Sequence, residues 1–259
     1  MADDARTPLV IGKAFRAAGR ALIRRGPVLW LLSALLVLPG GIAAAWLRQH
    51  SLLPMTDMSV GSVFFIGLAN GSVNWLAQAA PYALFIAAAS WTIVETLEGR
   101  SPSVGETVGQ GLRFFLPVLV AKALYMLGAM AGMVLLIVPG LIAALMWIFV
   151  TQAVVVERLG IIEAFKRSRT LTKGHRWALL GLGVASTLVV VAVEWVIFQV
   201  STPTLAFVGA TSAPINAYGV IPLFSCLTTP LSVAVMTTIY MQLRSGYRGS
   251  ADVTAEVFA

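Results

Sequence analysis

Residues 28–47 read VLWLLSALLVLPGGIAAAWL, twenty in succession without an acidic or basic side chain. A helix rises about 1.5 Å per residue, so about 20 apolar residues cross the roughly 30 Å of hydrocarbon in a bilayer. The rest of the chain is of the same kind. Over 259 residues, 58% are hydrophobic and only 11% charged, with a mean hydropathy of +0.87. Soluble domains carry about 25% charged residues. This composition excludes an ordinary soluble enzyme, a disordered chain and a disulfide-built secreted domain. One cysteine, Cys226, permits no internal disulfide. The expected fold class is all-α, a polytopic transmembrane helix bundle of about six spans.

Further apolar runs cover 74–97, 112–138, 141–156, 177–200 and 218–243, and the apolar piece 60–71 reads as a re-entrant or surface segment. Trp30 and Trp46 near the ends of the first run, and Trp177 and Trp195 in the fifth, fit interfacial aromatic belts. Three divisions follow: a basic leader 1–27, a membrane domain 28–243 and a tail 244–259. A cleaved signal peptide is the alternative for the first run, but the leader is long and cleavage leaves an odd span count.

Basic residues fix the expected threading. The leader holds Arg6, Lys13, Arg16, Arg20, Arg24 and Arg25. Arg100 and Arg113 follow span two, and Arg158, Lys166, Arg167, Arg169, Lys173 and Arg176 follow span four, with Arg244 and Arg248 in the tail. All fall on one side of a six-span threading, whereas the other side receives Arg48 alone. The asymmetry puts both termini in the cytoplasm of a bacterial inner membrane.

Three segments read as amphipathic helices lying on that face. Between 11 and 25, Lys13, Arg16, Arg20 and Arg24 recur at steps of three and four, opposite Ile11, Phe15, Ala18 and Leu22. Within the basic loop 159–175, Ile161, Ala164, Phe165, Ser168 and Thr172 share one side, Lys166, Arg167, Thr170 and Lys173 face away, and Gly174 is a natural C-cap. A third precedes span three, where Ser103 and Glu106 have capping-box spacing. Each basic residue beside an anionic surface contributes about 1 kcal/mol. Lys13, Arg16, Arg20, Arg24, Lys166, Arg167 and Lys173 are therefore the candidate contacts to anionic lipid. The echo of VLPGGIAA (37–44) in IVPGLIAA (137–144) suggests three repeated units of surface helix plus two spans. Selection for basic loops in low-complexity apolar sequence explains the same likeness.

Pro139-Gly140 reads as a tight turn between spans three and four, Pro39-Gly40-Gly41 as a kink, and Gly128 and Gly132 as a place for close helix packing. Inside the spans, Lys122 and Glu194 are the ionisable candidates for function. Lys122 either snorkels its ammonium to the headgroups or holds an anionic group. A direct pair with Glu194 is disfavoured by a depth mismatch of about 12 Å. Glu95 and Glu157, at the ends of spans two and four, are placed to pair with Arg100, Arg158 or the loop cations. The sequence contains no HExxH, CxxC, GxxxxGK[ST] or GxSxG motif. No catalytic residue, metal ligand or cofactor is expected, and nucleic acid is not an expected partner.

Residues 138–182 resemble the membrane domain of certain glycerophosphoryl diester phosphodiesterases and its stand-alone, YciC-like relatives. The residues that carry the likeness are Pro139, Gly140, Glu157, Gly160, Glu163 with Ala164-Phe165-Lys166-Arg167, Ser168, Leu171, Lys173 and Gly174, followed by Trp177. In fused members the phosphodiesterase chemistry belongs to a separate soluble barrel, which this sequence lacks, so the resemblance implies a membrane module and not hydrolysis. The expected function is a non-catalytic inner-membrane module that associates with anionic lipid or organises a protein partner or a second copy. The alternative is a transporter or lipid translocator with Lys122 in its pathway.

Overall fold

The computed structural model describes residues 11–50, 59–135, 137–207 and 220–257, all helix and turn without a strand. The helices are α1 Ile11–Gln49, α2 Val60–Leu97, α3 Val104–Leu135, α4 Ile137–Met146, α5 Val150–Val156, α6 Ile161–Thr172, α7 Arg176–Phe207 and α8 Ile221–Val257. Five are long and apolar enough to cross a membrane, through Ile11–Leu47, Ala69–Leu97, Val104–Gly132, Arg176–Val193 and Ile221–Gly246. The shorter apolar stretch Gly140–Val156 stands where a fourth full span was expected. The protein is a multi-pass helical membrane protein.

Helices α1, α2, α3 and α8 form the bundle, with α1 between α2 and α8, and α3 on the far side of α2. Small residues set the spacing. Ala14, Ala18 and Ala21 of α1 and Ala83, Ala87 and Ala89 of α2 are buried, and a Cβ on Gly111 of α3 would come within 2.9 Å of Ala88. Hydroxyls join the helices across these seams. Ser33 donates to the Cys226 carbonyl (2.8 Å), Thr92 to Thr107 (3.0 Å), Thr237 to Ser90 (3.3 Å) and Thr238 to the Ala14 carbonyl (3.2 Å). In lipid, where apolar contact alone gives no preference for helix over hydrocarbon, such close packing and hydrogen bonding hold spans together.

Two expected surface helices are instead the first turns of spans. The leader runs into span one as a single helix, α1, of 39 residues, which continues through Pro27 and Pro39. The reason is tertiary: Ala14, Ala18, Ala21 and Leu22 pack in the bundle core, so the leader buries its small face on protein, leaving Phe15 exposed. Lys13, Arg16, Arg20 and Arg24 keep their common exposed stripe. Likewise α3 begins at Val104 with no break before the span, and 60–71 belongs to α2. Gly40 and Gly41 admit close neighbours: a Cβ on Gly40 would lie 2.5 Å from Pro81, and one on Gly41 3.2 Å from Pro222. With only α6 a separate helix, the three units of the suggested repeat differ in build.

The capping box forms as the spacing predicts. The Ser103 N–H donates to Glu106 Oε2 (2.6 Å) and the Glu106 N–H to Ser103 Oγ (3.2 Å). Ser103→Ala should cost about 1 kcal/mol, read as a lower midpoint of thermal unfolding in detergent. Pro139-Gly140, expected as a turn, lie within α4, Ile137–Met146. Pro139 then occupies the first turn of α4, where its missing N–H costs no intrahelical bond.

Candidate functional site

The stretch that follows α4 is built around an interruption. At Trp147–Phe149 the helix tightens, and the Val150 N–H bonds to the Trp147 carbonyl (3.1 Å). That leaves the Met146 carbonyl and the Phe149 N–H without their helical partners, a costly condition in a dry interior. Ser168 of α6 satisfies both: its hydroxyl donates to the Met146 carbonyl (2.8 Å) and accepts from the Phe149 N–H (3.2 Å). Thr172, one turn on, reaches the same carbonyl at 3.5 Å. Helix α6 thus folds back along α5 as an antiparallel hairpin. Ala164, Ser168, Leu171 and Thr172 are its buried face, as the periodicity predicts for three of the four. Trp147 fills the space over Gly128, where a Cβ would lie 2.6 Å from the ring, and packs edge-on against Phe165 at 5.3 Å.

At the turn end of this hairpin Glu157, the C-cap of α5, collects three partners. Arg167 Nε donates to Oε2 (2.9 Å) and Oε1 (3.2 Å), and Tyr240 of α8 donates its hydroxyl to Oε1 (2.7 Å). Arg244 Nε stands 3.5 Å from Oε1, close enough for charge attraction but not for a hydrogen bond. All three charged side chains are at least four-fifths buried. Glu157 therefore ties α5, α6 and α8 into one unit. Its pairing with a loop cation agrees with the sequence; the cation is Arg167, which periodicity placed outward. The structure turns it onto Glu157, where the charge has a fixed partner. Around this clamp, Arg158 (φ 54°) makes the turn after α5, Gly160 caps α6, and exposed Glu163 complements the N-terminal dipole of α6. Leu171 enters the core, exposed Lys173 is the C-cap, and Gly174 (φ 91°) takes the left-handed conformation expected of it. The motif residues from Glu157 to Gly174 thus shape one hairpin, together with Gly140, which is buried in α4.

The basic stripe of α1 is a second feature. Lys13, Arg16, Ala17 and Arg20 line a groove of about 550 Å³ with Gln242 of α8. Arg20 and Arg24 continue it into a pocket of about 110 Å³ beside Thr96 and Leu97 of α2. Among the described residues no carboxylate pairs with these four cations, whereas Arg100 pairs with Glu95 and Arg167 and Arg244 with Glu157. Lys166 is exposed on α6.

Lys122 turns inward. Its ammonium lies 4.3 Å from the centre of the Tyr82 ring and lines a cavity of about 520 Å³ between α1, α2, α3 and α8. The side chain of Glu194 lies outside those described; its helix, α7, has α4 as its main neighbour. Most of α7 is exposed, including Trp177 and Trp195. Among the described residues no three His, Cys, Asp or Glu side chains gather as a metal site.

A multi-pass helical bundle with a clamped hairpin and a basic groove on α1 is the class these observations define. Residues 9–243 match the family described as "Domain of unknown function (DUF7847)", and the chain belongs to it. No curated protein and no solved structure matches the chain.

Proposed function

We propose that this protein is a non-catalytic module of a bacterial cytoplasmic membrane, with both termini in the cytoplasm, that binds anionic lipid through the stripe on α1. The supporting observation is selective pairing. The cations that hold the fold together have carboxylate partners, while Lys13, Arg16, Arg20 and Arg24 share one exposed face and line two grooves without one among the described residues. Phosphate headgroups supply the missing charge, and exposed Lys166 and Lys173 offer further cations to anionic lipid. The likeness of 138–182 to a membrane domain whose catalysis sits on a separate barrel agrees with this reading. Any protein partner or second copy would meet the same basic face or the exposed side of α7.

A ligand that binds only the folded state raises its stability. Short-chain phosphatidylglycerol should therefore raise the thermal midpoint of the detergent-solubilised protein, and phosphatidylcholine should not. In a Lys13→Gln, Arg16→Gln, Arg20→Gln variant most of the response should be lost, since three contacts of about 1 kcal/mol each amount to roughly a 100-fold loss of affinity at the stripe at low salt. Equal responses to both lipids, or an unchanged response in the variant, would refute the reading.

The cavity at Lys122 supports a second reading, a lipid or anion translocator. Toward the termini, Ser33, Phe85, Val118 and Val233 form a buried layer beyond the cavity, which would have to part during transport. Flux in liposomes that is lost in Lys122→Ala separates the two readings.

A further inference from the structure

Three features of the cavity between α1, α2, α3 and α8 point to a ligand. It is large enough, about 520 Å³, for a headgroup with the start of an acyl chain. Its lining carries a single ionised side chain, Lys122, among neutral polar groups: Asn74, Gln78, Tyr82, Ser225 and Thr229. Asn74 Oδ1 is sealed from solvent and accepts no hydrogen bond. A lone cation among apolar spans is costly unless something compensates it. The Tyr82 ring offers part of that, since an ammonium over an aromatic face gains about 0.5–2 kcal/mol, but it brings no negative charge. Among the described residues no carboxylate pairs with Lys122.

We infer that this cavity is a binding site for the anionic head of a single amphiphile, a carboxylate or phosphate ester on an apolar chain, with Lys122 as its counter-ion. The amphiphile enters past Gly71 and Gln78, the exposed members of the lining. The buried layer of Ser33, Phe85, Val118 and Val233 gives the cavity a floor on the side of the termini. A membrane amphiphile fits better than a soluble anion, because the walls that are not polar are hydrocarbon and the surroundings are lipid. Where the head is a phosphate ester that carries a hydroxyl, Asn74 Oδ1 accepts a hydrogen bond from it. This site is separate from the stripe on α1, and stands or falls without it.

The test uses the full chain in a non-ionic detergent, with a dansyl-labelled undecanoic acid as fluorescent probe. Its methyl ester, short-chain phosphatidylglycerol and inorganic phosphate serve as competitors. The free acid should bind the wild type. Lys122→Ala should weaken it at least tenfold, and Lys122→Arg should stay within about threefold. Gly71→Phe, at a position where an added Cβ meets nothing within 4 Å, should block the mouth and also weaken binding at least tenfold. Phosphatidylglycerol should displace the probe, while the ester and inorganic phosphate should not. The triple glutamine variant of α1 should bind the probe as the wild type does, which keeps this result apart from the lipid grip. Undiminished binding in Lys122→Ala, or displacement by the ester or by inorganic phosphate as effective as by phosphatidylglycerol, would overturn the inference.

Discussion

Glu157→Ala should destabilise the protein by about 3 kcal/mol, the largest effect expected of any single side chain in the hairpin. Removing one member of a mostly buried ion pair leaves its partners uncompensated, which costs more than the pair itself is worth. Here the groups that lose this carboxylate are two guanidiniums, Arg167 and Arg244, and the Tyr240 hydroxyl, all held around it. The two cations would then face each other at short range. Glu157→Gln should lose less, since its amide oxygen still accepts from Arg167 or Tyr240. The change is measured as the midpoint of thermal unfolding in detergent, together with tryptic cleavage at Lys166 and Arg169, which should become fast once α6 leaves α5. A variant as stable and as resistant to trypsin as the wild type would show that Glu157 holds nothing together.

Ser168→Ala should cost about 2–3 kcal/mol, although it removes a single oxygen. Two backbone groups, the Met146 carbonyl and the Phe149 N–H, depend on that hydroxyl, and both face a packed interior. A buried group left unsatisfied costs about 1–3 kcal/mol. Thr172, at 3.5 Å from the Met146 carbonyl, offsets part of the loss for the carbonyl and none for the amide. The control is Thr170→Ala on the exposed side of the same helix. Its hydroxyl bonds only to the Lys166 carbonyl within its own turn, so the change should stay within about 0.5 kcal/mol. Hydrogen exchange at the Phe149 amide should accelerate in the Ser168 variant and not in the Thr170 variant.

What the sequence made legible was whatever depends on local chemistry. Hydropathy located the long spans, Ser103 and Glu106 announced a capping box, and Gly174 announced a left-handed residue. Each of these follows from a residue and its neighbours within one or two turns. The misses depend on contacts far along the chain. The leader joins span one because Ala14, Ala18 and Ala21 find a place in the bundle core, beside α8, more than 200 residues away in sequence. Arg167 faces inward because Glu157 is brought beneath it by the hairpin, and no periodicity of α6 alone contains that. The interruption at Trp147–Phe149 has neither proline nor glycine to mark it. Its one trace lies elsewhere: Ser168 and Thr172 are hydroxyls on the buried side of α6, and two hydroxyls on an apolar face imply backbone groups opposite them in need of partners. Lys122 was flagged by its type and depth, but the cavity it lines is assembled from four helices.

The reading of the α1 stripe as a lipid grip is tested most directly by weighing what the protein carries out of the membrane. Native mass spectrometry of gently extracted wild type should show retained lipid enriched in anionic classes relative to the membrane it came from. The Lys13→Gln, Arg16→Gln, Arg20→Gln variant should lose most of that enrichment. Retained lipid of bulk composition in the wild type, or the same anionic enrichment in both proteins, would contradict it.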